Sequence, residues 1–258
     1  MRESTSNHWQ EYWEREAQVE ETYGNEERLL RHLLPLPLRG RWVLEVGAGS
    51  GRDSLELARA GARVVVLDYV ESSFRVIRRL AAETGIQLEC VCADATRTPF
   101  REGVFQAVFH QGLLEHFRDP HPLLAENHRI TAPAGYCLVD VPQKYHLYTL
   151  GKQILIALNK WFAGWETQFS PGEMEALMRG HRFQIVRVYG EWFVPGLFYR
   201  GLRYFLRRAR MARLPLYPPE APLLGRLGRR WRAWLSRRKW GLYTTAMIGV
   251  LGRKPNSR

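Results

Sequence analysis

Six residues set out the chemistry this chain can perform: Glu45, Gly47, Gly49, Gly51, Asp68 and Asp94. The first four lie in WVLEVGAGSG, residues 42–51, where Val43, Leu44 and Val46 form a short apolar run and three glycines follow at alternate positions. Without a Cβ, a glycine lets the backbone turn sharply and come close to a ligand. Leu55, Leu57 and Ala58 then continue at helical spacing, and the first N–H groups of a helix point back at such a turn. The pattern predicts a buried strand, a glycine turn containing Ala48, and a helix start. A dinucleotide fingerprint, G-x-G-x-x-G/A, would need a small residue at position 52, which is Arg. A carboxylate two residues before the first glycine can instead meet an ammonium group, and the turn can lie under a carboxylate and a ribose. Asp68 ends the apolar run RVVVLD, seventeen residues after Gly51. It can accept both hydroxyls of a ribose or cap the helix that follows.

Ammonium, carboxylate and ribose are parts of S-adenosylmethionine, and the stretch resembles the first motif of class I S-adenosylmethionine-dependent methyltransferases. The resemblance covers residues 40–190 well and Leu242–Leu251 weakly. Its nearest flavour is the broad group that includes the ubiquinone and menaquinone biosynthesis methyltransferases. It implies a ribose-binding role for Asp68, with Tyr69 beside it. ADATRTPFREGVFQAVF, residues 93–109, is similar to the family's run of Asp, small residue, Thr-Pro-Phe and strand. By that likeness Asp94 accepts from the adenine amino group and the N–H of Ala95 meets a ring nitrogen. Phe105-Gln106 departs from the family's frequent Phe-Asp, at a place that starts the fourth strand.

HQGLLEHF, residues 110–117, resembles the family loop after that strand. The likeness puts His110 and Gln111 at the cofactor and the methyl-transfer site, and leaves Glu115 and His116 as either an acid/base pair or holders of the loop. Insertions like QKYHLYTLGKQILIALNKWFAGWETQFS, residues 143–170, cap the acceptor site in the family. Tyr145, His146, Tyr148, Trp165 and Glu166 are therefore candidates to meet the acceptor. A base is needed only if the acceptor's proton must leave. The candidates for it are His110, His116, Tyr145 and His146.

The elements that must position these groups follow from periodicity. The reading is α/β: a doubly wound seven-stranded sheet, Rossmann-like, with N-terminal helices and a basic helical insertion before the last strand. Strands are expected at 42–46, 63–68, 87–92, 104–110, 135–141, 183–189 and 242–251. Helices are expected at 7–34, 52–60, 71–84 and 121–131. In the first of these, Tyr12, Trp13 and Tyr23 either touch the cofactor or simply pack. Ser170 and Glu173 form a capping box. The division is an N-terminal helical cap (1–39), a core (40–191) with a cap insertion at 143–170, the basic insertion (192–241), and a last strand and tail (242–258). The length of 258 residues suits one large α/β domain with added elements.

The formal net charge is +12, and the segment from Arg200 to Lys239, with thirteen Lys/Arg and one acid, accounts for all of it. Arg200, Arg203, Arg207 and Arg210 recur on one helical face, and Leu202, Phe205 and Leu206 on another. A second stretch sets Leu227, Trp231, Trp234 and Leu235 against Arg226, Arg229, Arg230, Arg237 and Arg238. Arginines opposite Leu, Phe and Trp suit a helix lying in a membrane interface. Four basic residues at ~1 kcal/mol each give roughly a thousandfold in binding to an anionic surface. Docking of the apolar faces on the protein itself, or nucleic acid binding, are the other readings of residues 197–240. No run of about eighteen apolar residues predicts a transmembrane helix. MRESTSNHWQEYWERE is neither a signal nor a transit peptide by its pattern. Three cysteines without a disulfide framework suggest a reducing compartment, and their spacing suggests no metal site. The expectation is a cytoplasmic enzyme, peripheral on the cytoplasmic membrane. It would transfer a methyl group from S-adenosylmethionine to a small, lipophilic or lipid-linked acceptor. An RNA or protein methyltransferase, or a S-adenosylmethionine-binding protein without activity, are the alternatives.

Overall fold

The computed structural model describes Thr5 and residues 9–11, 28–219, 222–236 and 238–256. A short helix, α1 (Leu30–Leu33), leads into β1 (Trp42–Val46), α2 (Arg52–Arg59), β2 (Arg63–Asp68), α3 (Glu71–Thr84) and β3 (Glu89–Cys92). After β4 (Phe105–Gln111) comes a 3-10 turn at Leu114–His116, then α4 (His121–Ile130) and β5 (Thr131–Pro142). The chain ends with α5 (Leu147–Ala157), α6 (Pro171–Gly180), β6 (Gln184–Glu191), α7 (Leu197–Arg208), α8 (Pro222–Ser236), a 3-10 segment at Lys239–Thr244 and β7 (Met247–Arg253).

The seven strands form one sheet in the order β3-β2-β1-β4-β5-β7-β6. β1, β2, β3, β4 and β5 pair in parallel, and β7 runs antiparallel to both β5 and β6. The near-continuous apolar runs of β1 and β2 are buried on both faces, as helices on either side of a parallel sheet require. Leu44, Val46, Val65 and Leu67 join one core, and Val43, Val64 and Val66 the other. Strand order reverses between β1 and β4. The crevice beyond the carboxyl ends of the strands at such a reversal is where open α/β sheets bind ligands.

The expected elements recur with shifted ends. The last strand begins at Met247, not Leu242, because Lys239–Thr244 wind into 3-10 turns. Gly241 permits this: a Cβ there would lie 2.1 Å from the Leu235 carbonyl oxygen, so only glycine lets the segment fold back on α8. The third strand starts at Glu89. The fifth starts early, at Thr131, with Ala134 at a positive φ of 59°. Ser170 and Glu173 make the full capping box at the start of α6. Of the helix expected over 7–34, Leu30–Leu33 is helical; Tyr12, Trp13 and Tyr23 lie outside the described residues.

Between the antiparallel strands, Gly249 of β7 stands opposite Asp140 of β5 and Tyr189 of β6. The Tyr189 ring lies directly over Gly249, where an added Cβ would fall 2.0 Å from Cζ. This lets the Tyr189 hydroxyl donate to Asp140 Oδ2 at 2.9 Å in the interior. Arg28 pairs with the other oxygen of Asp140 at 2.8 Å, and His32 stacks on the Tyr189 ring with centroids 3.8 Å apart. Gly249→Ala should force the ring off its bond and cost about 2–4 kcal/mol of stability. Urea denaturation would read this as a lowered midpoint; an unchanged midpoint would contradict the packing described.

Candidate functional site

The glycine turn is fixed by the strand beside it. Gly47 N–H donates to the Leu67 carbonyl at 2.7 Å, and Gly51 N–H to the Ala48 carbonyl at 2.8 Å. Gly47 has a φ of 62°, and a Cβ on it would meet Leu113 Cδ1 at 2.8 Å. Gly51, at φ 65°, is the residue from which α2 starts. Asp68, buried at the carboxyl end of β2, gathers the neighbouring backbone: Gly49 N–H donates to Oδ2 at 3.3 Å and Val70 N–H to Oδ1 at 3.0 Å. Burial nevertheless raises its pKa. The same side chain thus helps start α3 and sits at the carboxyl end of β2 beside the glycine turn. Tyr69 beside it is exposed, and its hydroxyl pKa is pushed up to about 12 by partial burial and the Asp68 charge.

Glu45 is buried under the turn and accepts from Ser54 Oγ at 2.6 Å. Burial, reinforced by the charge of Asp53, raises its pKa to about 8. Burial lifts Asp53 to about 6, against the opposing pull of Arg28. Asp140, also at about 6, is lifted by burial and drawn down by the same arginine. Arg28 thus acts on both Asp53 and Asp140, and Asp53 in turn on Glu45. The sequence reading found Glu45 and missed Arg28, Asp53 and Asp140, none of which belongs to a motif.

Asp94 lies exposed just beyond β3, its Oδ1 accepting from the N–H and the hydroxyl of Thr96, both at 2.8 Å. Ala93 N–H bonds the Asp68 carbonyl at 3.1 Å, so this loop and Ala95 stand next to the end of β2. The loop is held from α4. Glu126 accepts from Thr98 N–H at 2.8 Å, and Arg129 donates to the Phe100 carbonyl at 2.9 Å.

The loop after β4 does not present its histidines as the sequence suggested. His110 is fully buried, neither ring nitrogen has a hydrogen-bond partner among the described residues, and burial lowers its pKa to about 3. It stays neutral and is a poor base at any ordinary pH. Gln111 is half-buried at the strand end. His116 sits edge-on to Trp9 with centroids 5.1 Å apart. Glu115 is buried, and burial, with the Glu166 charge adding to it and Lys152 opposing, raises its pKa to about 8. Tyr145 stacks on Tyr243 at 6.0 Å, and His146 caps α5 by accepting from Tyr148 N–H at 3.2 Å. These two therefore belong to the cap insertion and not to the glycine turn. Among the described residues no group of three His, Cys, Asp or Glu could hold a metal ion. A separate hollow lined by Pro37, Arg39, Arg41 and Gln106 opens at the amino ends of β1 and β4, away from these groups.

Residues 44–139 match a family model described as a methyltransferase domain. The chain is 27% identical over 148 residues to the ubiquinone biosynthesis O-methyltransferase of Ruegeria pomeroyi, which covers 55% of this chain and 60% of that protein. It is 36% identical over 103 residues to the demethylmenaquinone methyltransferase of Clavibacter sepedonicus, covering 40% of this chain and 42% of the other. The chain thus spans about 60% or less of the length of these two relatives. Its fold matches that of geranyl diphosphate C-methyltransferase from Streptomyces coelicolor, with a TM-score of 0.58 at 16% identity, over 89% of this chain and 77% of that one. The matched family segment takes in the glycine turn, Asp68, Asp94 and the loop after β4, and leaves out the cap insertion and the basic helices.

With a pKa of about 8, Glu45 is mostly protonated in the free protein at pH 7. An ammonium group settling beside it favours the carboxylate and expels that proton. Binding of S-adenosylmethionine should therefore release close to one proton at pH 7 and tighten as pH rises from 6 to 8. Calorimetry in buffers of different ionisation enthalpy measures this; proton uptake, or affinity that weakens over that range, would contradict it.

Proposed function

We propose, for a chain whose core belongs to the class I S-adenosylmethionine-dependent methyltransferase family, that it transfers a methyl group from S-adenosylmethionine to a small lipophilic acceptor. The observation that carries the reading is the joint placement of Glu45, the glycine turn and Asp68 at the carboxyl ends of β1 and β2, beside the reversal of strand order. S-adenosylmethionine is the cofactor of this family, and its sulfonium is already a good leaving group. The protein's task is then to hold donor and acceptor in line, which alone supplies a large part of the acceleration.

Each group has a part that its position supports. Asp68 offers free lone pairs to the ribose hydroxyls. Glu45 meets the ammonium. The turn, through Gly47, Ala48, Gly49 and Gly51, gives close backbone approach beneath the cofactor. Asp94, through its second oxygen, and the N–H of Ala95 meet the adenine edge, with Tyr69 over the ribose side. His110 and Gln111 shape the inner wall near the transferring methyl. His110 does so as a neutral packing group, since its pKa of about 3 leaves it no use as a base. If the acceptor must lose a proton, Glu115, whose pKa burial raises to about 8, is an acid/base candidate in the loop after β4.

The lipophilic acceptor is supported by the names of the curated relatives, which belong to ubiquinone biosynthesis and to demethylmenaquinone. It is also supported by the basic segment, residues 197–240. No residue of α7 is fully buried, Leu197 and Leu206 being half-buried, while α8 buries Leu235 against the protein. Phe198, Phe205, Leu227 and Trp231 are all more than half exposed. Such a surface suits a peripheral position on an anionic cytoplasmic membrane better than a nucleic acid, which offers phosphates but no apolar phase. No helix among the described residues is long and apolar enough to cross a membrane.

Incubating the protein with methyl-labelled S-adenosylmethionine and a bacterial membrane lipid extract should move label into the organic phase in proportion to time and enzyme. Label appearing only in added RNA or protein would contradict the acceptor class.

A further inference from the structure

Helix α5 is built inside out. Its inward face carries Thr149, Lys152 and Ile156, all buried. Its outward face carries Leu147, Leu150, Ile154 and Leu158, at the i, i+3, i+7, i+11 spacing of one helical stripe, with exposures of 76%, 49%, 63% and 57%. The only charged residue of the helix, Lys152, is turned inward, ion-paired with Glu166 and set between the rings of Tyr148 and Trp161. A helix facing water shows the opposite arrangement, charges outward and aliphatics inward.

The place of this helix makes the inversion informative. α5 follows the carboxyl end of β5, and the extended return of the insertion through Thr167 clasps the loop after β4. Thr167 N–H donates to the Glu115 carbonyl at 2.6 Å and its hydroxyl to the Phe117 carbonyl at 3.0 Å. The helix therefore lies over the side of the sheet where the methyl-transfer groups gather. The start of α7 and the 3-10 segment after α8 adjoin it there. Phe193 meets Tyr148 with centroids 5.1 Å apart, Arg200 at the start of α7 lies 4.6 Å over the same Phe193 ring, and Tyr243 stacks on Tyr145.

We propose that α5 is the inserting wedge of a bilayer-docking face. Its Leu/Ile stripe enters the acyl layer of an anionic membrane while the arginines of α7 and α8 meet headgroup phosphates around it. The helix that covers the loop after β4 is then also the doorway through which a lipophilic acceptor passes from lipid to the site; that last step rests on the methyl-transfer reading, whereas the docking does not. Charge complementarity selects this occupant. The segment flanking the stripe carries the whole +12 of the chain. A second copy would bring like charge against like, and a polyanion such as RNA would match the arginines but leave the uncharged stripe in water.

Co-sedimentation with vesicles of equal parts phosphatidylglycerol and phosphatidylcholine, against phosphatidylcholine alone, tests the proposal on the full chain. The wild type should bind the anionic vesicles. Leu150→Glu/Ile154→Glu should lower that binding about tenfold or more with S-adenosylmethionine affinity unchanged. Hydrogen exchange on the wild type needs no variant and should show residues 147–158 slowed by the vesicles. Wild-type-like binding of the double variant, unchanged exchange over 147–158, or binding to RNA but not to vesicles would each overturn it. Absence of vesicle binding with intact cofactor binding would sink the docking face alone; absence of cofactor binding with intact vesicle binding would sink the methyl-transfer reading alone.

Discussion

The carboxylate of Asp68 ties two strands into one binding crevice. It takes N–H bonds from Gly49 in the turn after β1 and from Val70 at the start of α3, so the two βα connections cannot move apart without leaving buried donors unpaired. The carbonyls around it complete the fastening: Leu67 accepts from Gly47, and Asp68 from Ala93. Three separate segments, carrying Glu45, Asp68 and Asp94, are thereby brought to one edge of the sheet. The cost is a carboxylate held in a buried place, which its raised pKa records. A ligand that donates hydrogen bonds to it would relieve that cost.

The same logic runs through the neighbouring charges. Asp53 and Asp140 both feel the Arg28 guanidinium, Glu45 feels the charge of Asp53, and burial pushes the pKa of all three carboxyls upward. A cation placed beside such a group would favour its charged form. At the other side of the crevice Lys152, Glu166 and Glu115 form a second buried group beneath α5. Charge is thus buried beneath α5, while Leu147, Leu150 and Ile154 are turned outward on it.

Much of this was legible in the sequence because it depends on local order. The strand–glycine–helix succession, the buried run ending at Asp68 and the capping box of Ser170 are all fixed by residues close in the chain. What escaped depends on topology. Arg28, Asp53 and Asp140 come from three separate stretches of the chain that only the fold brings together. His110 read as a candidate base from its place after a strand, and only its complete burial shows otherwise. The last strand was placed five residues early because Leu242-Tyr243 looks like strand, whereas Gly241 packing on the Leu235 carbonyl winds it into a turn. Nothing in the local order of α5 tells that Thr149 and Lys152 face inward and Leu150 and Ile154 outward.

Calorimetric titration of S-adenosylmethionine into the wild type and Asp68→Ala, both shown to be folded, tests the central claim most directly. The wild type should bind at one site with micromolar affinity and the variant at least about tenfold more weakly, the worth of a charged hydrogen-bond acceptor. A folded wild type that binds no S-adenosylmethionine, or a variant that binds it equally well, would contradict it.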